Sequence, residues 1–527
     1  MSEKSQLISQ FYIKLNGADV PQELMRAVLT ITVENSLHMP DVVALILHDP
    51  RLQWIDDDRL RLGSALEIYA KSSAREAEEN RVFDGEIVEI EPEFGPSTHQ
   101  LTVRAFDRLH RLSRGRQVRS FQNVTDSDVA EQLAKEVGLQ TDVKATRRVH
   151  EHLLQFNQTN LEFLRQRATE VGYMLYVVGK KLCFKPPTPE GRPIPLQWGE
   201  NLSEFRPRLT TVGQVGKVRA RAWDPNTRQE LFSEVSEGEG RRELGRKQSG
   251  GATTQEAFHQ EPTHFALKRP LRTQEEADRL AQAVADRIAE RFIEAEGVCG
   301  GNPSLVAGAS VNIKALGSQF SGTYFVTATT HIYNMRQGYL TRFHISGQTP
   351  ATLLHLLRDP EDDHQPFLNL AIGVVTDNAD PQGWGRVKVK YPWLSSEHTS
   401  YWARVVAVGG GAERGIAFLP EINDEVLVGF ELGDAQQPYV IGGLWNGKDA
   451  PPKAKTLVNG GRVQQRVLRS RSGHTITLDD EGKKVLIESS GDLAIEAKGE
   501  ISIKCDGKLD LGSKDEVTVQ GSIIKLN

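Results

Sequence analysis

The segment KVLIESSGDLAIEAKGEISIKCDGKLDLGSKDEVTVQG, residues 484–521, falls into units of eight: KVLIESSG, DLAIEAKG, EISIKCDG, KLDLGSKD and EVTVQGSI. Position two of each unit is apolar: Val485, Leu493, Ile501, Leu509 and Val517. So is position four: Ile487, Ile495, Ile503, Leu511 and Val519. Position six is small: Ser489, Ala497, Cys505, Ser513 and Gly521. The unit ends on Gly491, Gly499 and Gly507, then Asp515. Apolar residues that alternate make each unit a short strand with one face to bury. Glycine or aspartate at its end supplies the backbone freedom of a sharp turn. A fixed short period marks a stacked architecture.

Two arrangements satisfy the columns. One is an antiparallel meander. With two-residue turns its register mixes apolar and polar positions on one face; with three-residue turns ending in glycine it survives. The resulting small one-faced sheet has nothing to cover it and is not stable alone. The other is three chains wound about a common axis, with columns two and four pointing inward and the small column six where the faces converge. At one strand spacing of ~4.8 Å per octad, the repeats make a rod of roughly 25–30 Å. A rod without loops is a mechanical part rather than a substrate site.

The chain has 527 residues, enough for about three or four domains. Its net charge of −6 argues against bulk nucleic-acid binding. Three distant cysteines, Cys183, Cys299 and Cys505, do not form a disulfide framework and point to folding in a reducing cytosol. The start, MSEKSQLISQFYIKL, lacks the apolar core of a signal peptide, and no run of about 18 apolar residues occurs. Assembly in the cytoplasm is expected, with exit by a route other than general secretion.

Residues 1–358 read as alternating strands with a few helices. QFYIKLNG, AVLTITVEN and VVALILHD alternate as strands, and YMLYVVGKKLCFKPP is a strand pair around Gly179. Asp126 opens one helix and Asn160 another. Thr273 and Glu276 form a capping box before a helix striped by Ala277, Leu280, Ala281, Val284, Ile288 and Phe292. Residues 236–263, polar and glycine-rich, read as a long loop. Residues 359–366 are an acidic linker. Residues 367–446 hold five or six short strands (GIAFLP and YWARVVAV among them), the pattern of a small barrel. Residues 447–475 are a basic connector, read as a solvated collar, and 476–527 carry the octads. The fold class is mainly β with some α.

In the barrel, VVTDNADPQGWGRVKVKYPW and WARVVAVGGGAERGIAFLPEINDEVLVGFELGDAQQPYVIGGLWN resemble the OB-fold domain of the VgrG and phage-baseplate spike family. Asp377, Pro381, Gly385, Arg386, Pro392, Trp402, Arg404, Pro420, Phe430, Gly433, Asp434 and Pro438 are among the matching positions. FDRLHRLSRGRQVRSFQNVTDSDVAEQLAKEVGL, QFNQTNLEFLRQRATEVGYMLYVVGKKLCF and PSLVAGASVNIKALGSQFSGTYFVTATTHIY resemble segments of that family's hub of β-barrel-like subdomains. The octads then occupy the place of its intertwined triple-stranded β-helix. The resemblance implies a non-enzymatic homotrimer that joins an inner tube to a membrane-piercing needle in a contractile injection system. It implies contact with the inner tube protein, other baseplate proteins, cargo effectors and, transiently, the target membrane. It also implies a PAAR-type protein on a tip formed by Ile524, Leu526 and Asn527. Phage members with a lysozyme domain, and VgrG members with an effector extension, differ from this chain, which resembles the minimal spikes of extracellular phage-tail-like particles. A type VI secretion VgrG acting as an effector carrier is the alternative within the family.

The residues advertise little chemistry. HEHLL at 150–154 has Leu154 where a zinc helix needs histidine. GGGAERG at 409–415 is preceded by a barrel strand and lacks the following helix of a phosphate cradle. SEGEGRREL lacks the P-loop lysine, and no GxSxG or zinc-spaced cysteine pair occurs. Asp377 and Asp434 read as turn residues. Trp384, Trp393, Trp402 and Trp445 read as packing in the barrel core or at a subunit interface. No cofactor or metal is expected. A cryptic wall hydrolase and an oligonucleotide- or glycan-binding barrel are the rival functions.

Overall fold

The alternation in AVLTITVEN and VVALILHD places Ile31, Val33, Val43, Leu45 and Leu47 on one face, and all five are buried. The computed structural model describes residues 10–71, 80–95, 99–186, 188, 191–236, 238, 243–244, 249–267, 270–347, 369–394 and 398–525. The expected linker 359–366 and the tip residues Leu526 and Asn527 lie outside them. Two compact units divide the chain, Met1–Leu444 and Trp445–Asn527.

The first unit is built on an eleven-stranded sheet. Seven of its strands come from the first 106 residues and four from 202–345. The two sets meet where Ala328–Asn334 pairs antiparallel with Val28–Ser36, Thr330 opposite Glu34. The intervening chain is therefore an insertion. It packs helices Asp126–Glu136 and Asn160–Val171 against short strands through Leu133, Phe163, Leu164 and Phe184. Both helices are capped one residue before the expected opening. Thr125 Oγ1 accepts the Asp128 N–H at 3.1 Å, and the Asp128 carboxylate accepts the Thr125 N–H at 2.8 Å. Thr159 and Glu162 repeat the device.

The helix Gln274–Glu290 lies where its stripe requires, with Ala277, Ala281 and Val284 on the sheet of Lys217–Asp224, Gln229–Val235 and Thr263–Ala266. Its capping box is half formed. Thr273 Oγ1 accepts the Glu276 N–H, but the Glu276 carboxylate accepts the N–H of Arg272 instead of Thr273. The long loop expected over 236–263 is corrected: Gly250–Phe258 is a helix capped by Ser249. Its glycines hide it from propensity reasoning. They are required by close approach, since a Cβ on Gly251 would lie 2.3 Å from the Val215 carbonyl oxygen.

Two carboxyl groups face each other at one end of the large sheet. Val42 pairs with Phe106, so Asp41 and Asp107 lie opposite, and the Asp107 N–H donates to the Asp41 carbonyl at 2.9 Å. Burial pushes the Asp41 carboxyl up to about 7, against bonds from Asn35 and Ser36. Burial and the neighbouring Asp41 raise Asp107 as well.

The barrel sheet runs Lys388–Lys390, Leu370–Asp377, Glu425–Phe430, Pro438–Gly443, Arg404–Val405. Paired bonds between Val387 and Ala403 close the last strand on the first. Val375, Val387, Val389, Val426, Val428 and Val440 fill it. The tryptophans do not. Trp384, Trp393 and Trp445 are exposed and Trp402 is half-buried. A barrel this small is filled by β-branched residues, leaving no room inside for indoles. GIAFLP, expected as a strand, is not in the sheet, and YWARVVAV contributes only Arg404–Val405.

The barrel's tightest polar feature is Asp380 with Arg386, whose side chains are 3% and 7% exposed. The Asp380 carboxylate accepts from Arg386 Nε at 3.0 Å and Nη2 at 2.7 Å, and from the N–H groups of Gln382, Trp384 and Arg386. Gly385, at φ +70°, makes the turn that aims those groups inward. Arg386 holds the Asp380 carboxyl well below the usual carboxylate range.

Arg386→Ala leaves this carboxylate buried without its cation and should cost about 3 kcal/mol, read by urea unfolding of the barrel. Asp41 and Asp107 bind protons in the folded state that the unfolded chain releases. Their contribution is therefore present at low pH and lost as pH rises from 3.8 through about 7. Calorimetry should show the melting temperature of the wild type falling relative to Asp41→Asn over that window; parallel curves would refute the linkage.

Candidate functional site

In the second unit, Gln465–Arg469, Thr475–Asp479 and Lys484–Glu488 form an antiparallel three-stranded sheet. Ile476 lies opposite Ile487, and Leu478 opposite Val485. Thr475 and Thr477 point to the other face and are buried, and Lys453 Nζ donates to Thr477 Oγ1 at 3.0 Å. The basic connector thus covers one face. The other, with Leu468, Ile476, Leu478, Val485 and Ile487, is bare.

The first octad is a strand of this sheet. Among the described residues after Glu488, no strand forms. The meander therefore does not exist in the single chain, because a strand must hand its N–H and C=O groups to a neighbour and none is offered. The sequence columns go on past this face with Leu493, Ile495, Ile501, Ile503, Leu509, Leu511, Val517 and Val519, all of them exposed, Ile495 at 73% and Leu511 at 72%. Ala497, Cys505, Ser513 and Gly521 are exposed, Ser489 is half-buried, and Ile524 is exposed near the end. The expected buried faces are thus apolar but unburied. Fully burying each Val, Leu or Ile from a fully exposed state would contribute about 1.5–3 kcal/mol, and at 53–73% exposure one chain forgoes the larger part of it.

A second bare apolar surface was not legible as such. Beyond Arg404–Val405 the barrel chain makes a hairpin in which the Ile416 N–H donates to the Val408 carbonyl at 3.0 Å, with GGGAERG as its loop. Val406, Val408, Ile416, Phe418 and Leu419 are exposed along it. Alternation marked them as strand residues, but nothing among the described residues of the barrel covers them.

The remaining polar clusters tie elements together. A cavity of about 110 Å³ in the first unit is lined by Asp126, Arg148, His150, Arg167 and Glu276, among others. Its charges are paired: Arg167 with Asp126 at 3.1 Å, Arg148 with Glu276, and His150 Nε2 with Asp126 at 3.1 Å. Burial works to raise the Asp126 carboxyl, but Arg167 and His150 together hold it below its ordinary range. His150 of the HEHLL segment is thus a strand histidine bonded to Asp126, the first residue of the helix. Asp377 and Asp434 accept the N–H groups of Ala379 and Gln436 in turns. Among the described residues no three His, Cys, Asp or Glu side chains gather as a metal site. Trp393 meets Phe156 edge-on at 5.9 Å, and Arg386 lies over Trp384 at 4.9 Å.

Residues 5–334 match the family model of the Alg8 N-terminal domain, and 371–445 that of the type VI secretion system/phage-baseplate injector OB domain. The type VI secretion system spike protein VgrG2a of Pseudomonas aeruginosa is 33% identical over 93 residues, 17% of this chain and 11% of that protein. The actin cross-linking toxin VgrG1 of Vibrio cholerae is 30% identical over 118 residues, 20% of this chain and 11% of the toxin. The matched segments thus span about a tenth of these relatives. The E. coli c3393 protein, a component of the type VI secretion system with structural similarity to T4 tail proteins gp27 and gp5, superposes with a TM-score of 0.51 at 15% identity. That likeness covers 82% of this chain and 99% of c3393, and it shows the fold. With an Alg8 N-terminal domain followed by an injector OB domain, the chain belongs to the VgrG and phage-baseplate hub-spike family.

Proposed function

We propose that three copies of this chain form the central spike of a contractile injection system, of the type VI or phage-tail-like kind, and that the spike is structural rather than catalytic. The observation that carries the reading is the set of apolar octad residues left bare in the single chain, in the same sequence columns as Val485 and Ile487 of the bare sheet face. Three such faces turned to one axis bury each other and leave no open strand edge. The hub residues 1–358 continue the inner tube and meet other baseplate proteins. The octads form the point, and the tip of Ile524, Leu526 and Asn527 takes a PAAR-type cap. Cargo effectors ride on the hub, spike or tube. Assembly takes place in the cytoplasm, and the sheath's contraction carries the spike across the target envelope. The paired charges around the 110 Å³ cavity support a scaffold over a wall hydrolase, since they face each other instead of a substrate.

Light scattering of the purified chain should give three times the 58.6 kDa monomer mass. Ile503→Asp places three carboxylates at one buried level and should abolish the trimer while the hub keeps its melting transition. Wild-type trimer yield from that variant would remove Ile503 from the axis. Cys505 is the one exposed cysteine, Cys183 and Cys299 being buried. Mild oxidation should link two chains through Cys505 at the axis, the band vanishing in Cys505→Ser. Oxidised trimer without a linked pair would place the sixth column off the axis.

A further inference from the structure

We infer that the basic segment from Lys448 to Arg471 is a collar that docks on the anionic phospholipid headgroups of the bilayer the needle crosses. The inference rests on the spike reading above and adds a surface and a ligand chemistry to it. Between residues 447 and 472 there are seven lysines and arginines and one acid, Asp449. After Arg471 no arginine occurs, and residues 484–525 carry six lysines against eight acids. The net positive charge is thus concentrated just ahead of the needle, and the needle itself is net negative.

The segment is held in structure. Val458–Asn459 pairs with Arg462–Val463, and Gln465–Arg469 is a sheet strand. Lys448, Lys455, Arg462, Arg466, Arg469 and Arg471 are exposed. Lys453 is turned to Thr477, and Arg466 is paired with Asp480. Guanidinium groups on a fixed backbone suit phosphate, which they bind through two parallel N–H donors. Beside Arg462, Val458 and Val463 lie directly opposite each other and are 54% and 50% exposed. Cations interleaved with exposed aliphatic residues fit the boundary between headgroups and acyl chains. A single-stranded nucleic acid would call for aromatic stacking platforms, and residues 446–472 contain no aromatic residue.

The test is flotation of the full-length chain with vesicles of phosphatidylglycerol and phosphatidylethanolamine, against vesicles of phosphatidylcholine. Light scattering of each sample reports the oligomer. Binding to the anionic vesicles should be at least about tenfold tighter, and about 0.5 M salt should abolish the difference. Lys455→Glu/Arg462→Glu/Arg469→Glu should remove it and leave the trimer intact. A trimer that partitions equally into both vesicles, or a triple variant that binds as the wild type does, overturns the collar and leaves the spike reading standing. Equal affinity for a DNA duplex in the same salt also overturns it, as the segment would then be an unselective polycation. A monomer that still prefers anionic vesicles supports the lipid contact and overturns the spike reading instead.

Discussion

A β-strand needs a neighbour on each side or water on its open edge, and that requirement shapes this molecule more than any single contact. Each residue of a strand carries one donor and one acceptor that must be satisfied. In the first unit the need is met within the chain: eleven strands drawn from two distant segments share one sheet, and the barrel closes through Val387 and Ala403. In the second unit it is met only as far as Glu488. Beyond that point the side-chain pattern of strands persists without the strands. The same chain therefore contains a part whose strands are paired within it and a part, among the described residues, whose strand pattern is left unpaired.

The side-chain chemistry follows that division. Where the chain closes on itself, buried charge is paired and aimed. Asp380 collects three backbone N–H groups and the guanidinium of Arg386, and such a site fixes a loop because any other conformation strands a charge. Where the chain does not close, the exposed positions are Val, Leu and Ile with no polar alternative in their columns. Contiguous exposed apolar surface of this kind is a common feature of interaction sites. The barrel hairpin with Val408, Ile416 and Phe418 has the same character.

The sequence was most legible where periodicity and local chemistry agree. The columns of the octads, the stripe of Gln274–Glu290 and the alternation of Val28–Ser36 all follow from side-chain period alone. The caps were displaced by one residue because Asp126 and Asn160 are themselves good cap residues, yet the threonine before each makes the bond. The helix Gly250–Phe258 was missed because its glycines answer to a close contact with Val215, which no local rule contains. The tryptophans were placed inside the barrel or at an interface by size and polarity; the barrel's valines leave only the outside. The pairing of Ala328–Asn334 with Val28–Ser36 joins residues about three hundred positions apart, and periodicity carries no information on partners.

That long-range topology leaves the insertion to be fastened to the sheet by side chains. The insertion between Phe106 and Leu202 interrupts the sequence but not the large sheet, and side-chain contacts fasten it there. Arg108 makes such a contact: buried, it donates to the Asp84 carboxylate at 2.7 Å in the sheet and to the Gly179 carbonyl at 3.0 Å in the insertion. Glu86 adds a second tie, accepting from Arg111 and bonded to His110 at 3.1 Å. These bonds are directional and shielded from water, so small displacements meet a steep rise in energy, whereas an apolar contact would slide. The barrel is fastened to the same insertion by Phe156 against Trp393 and by the Tyr401 hydroxyl on Glu151. An inserted subdomain held on both sides in this way is braced between the large sheet and the barrel.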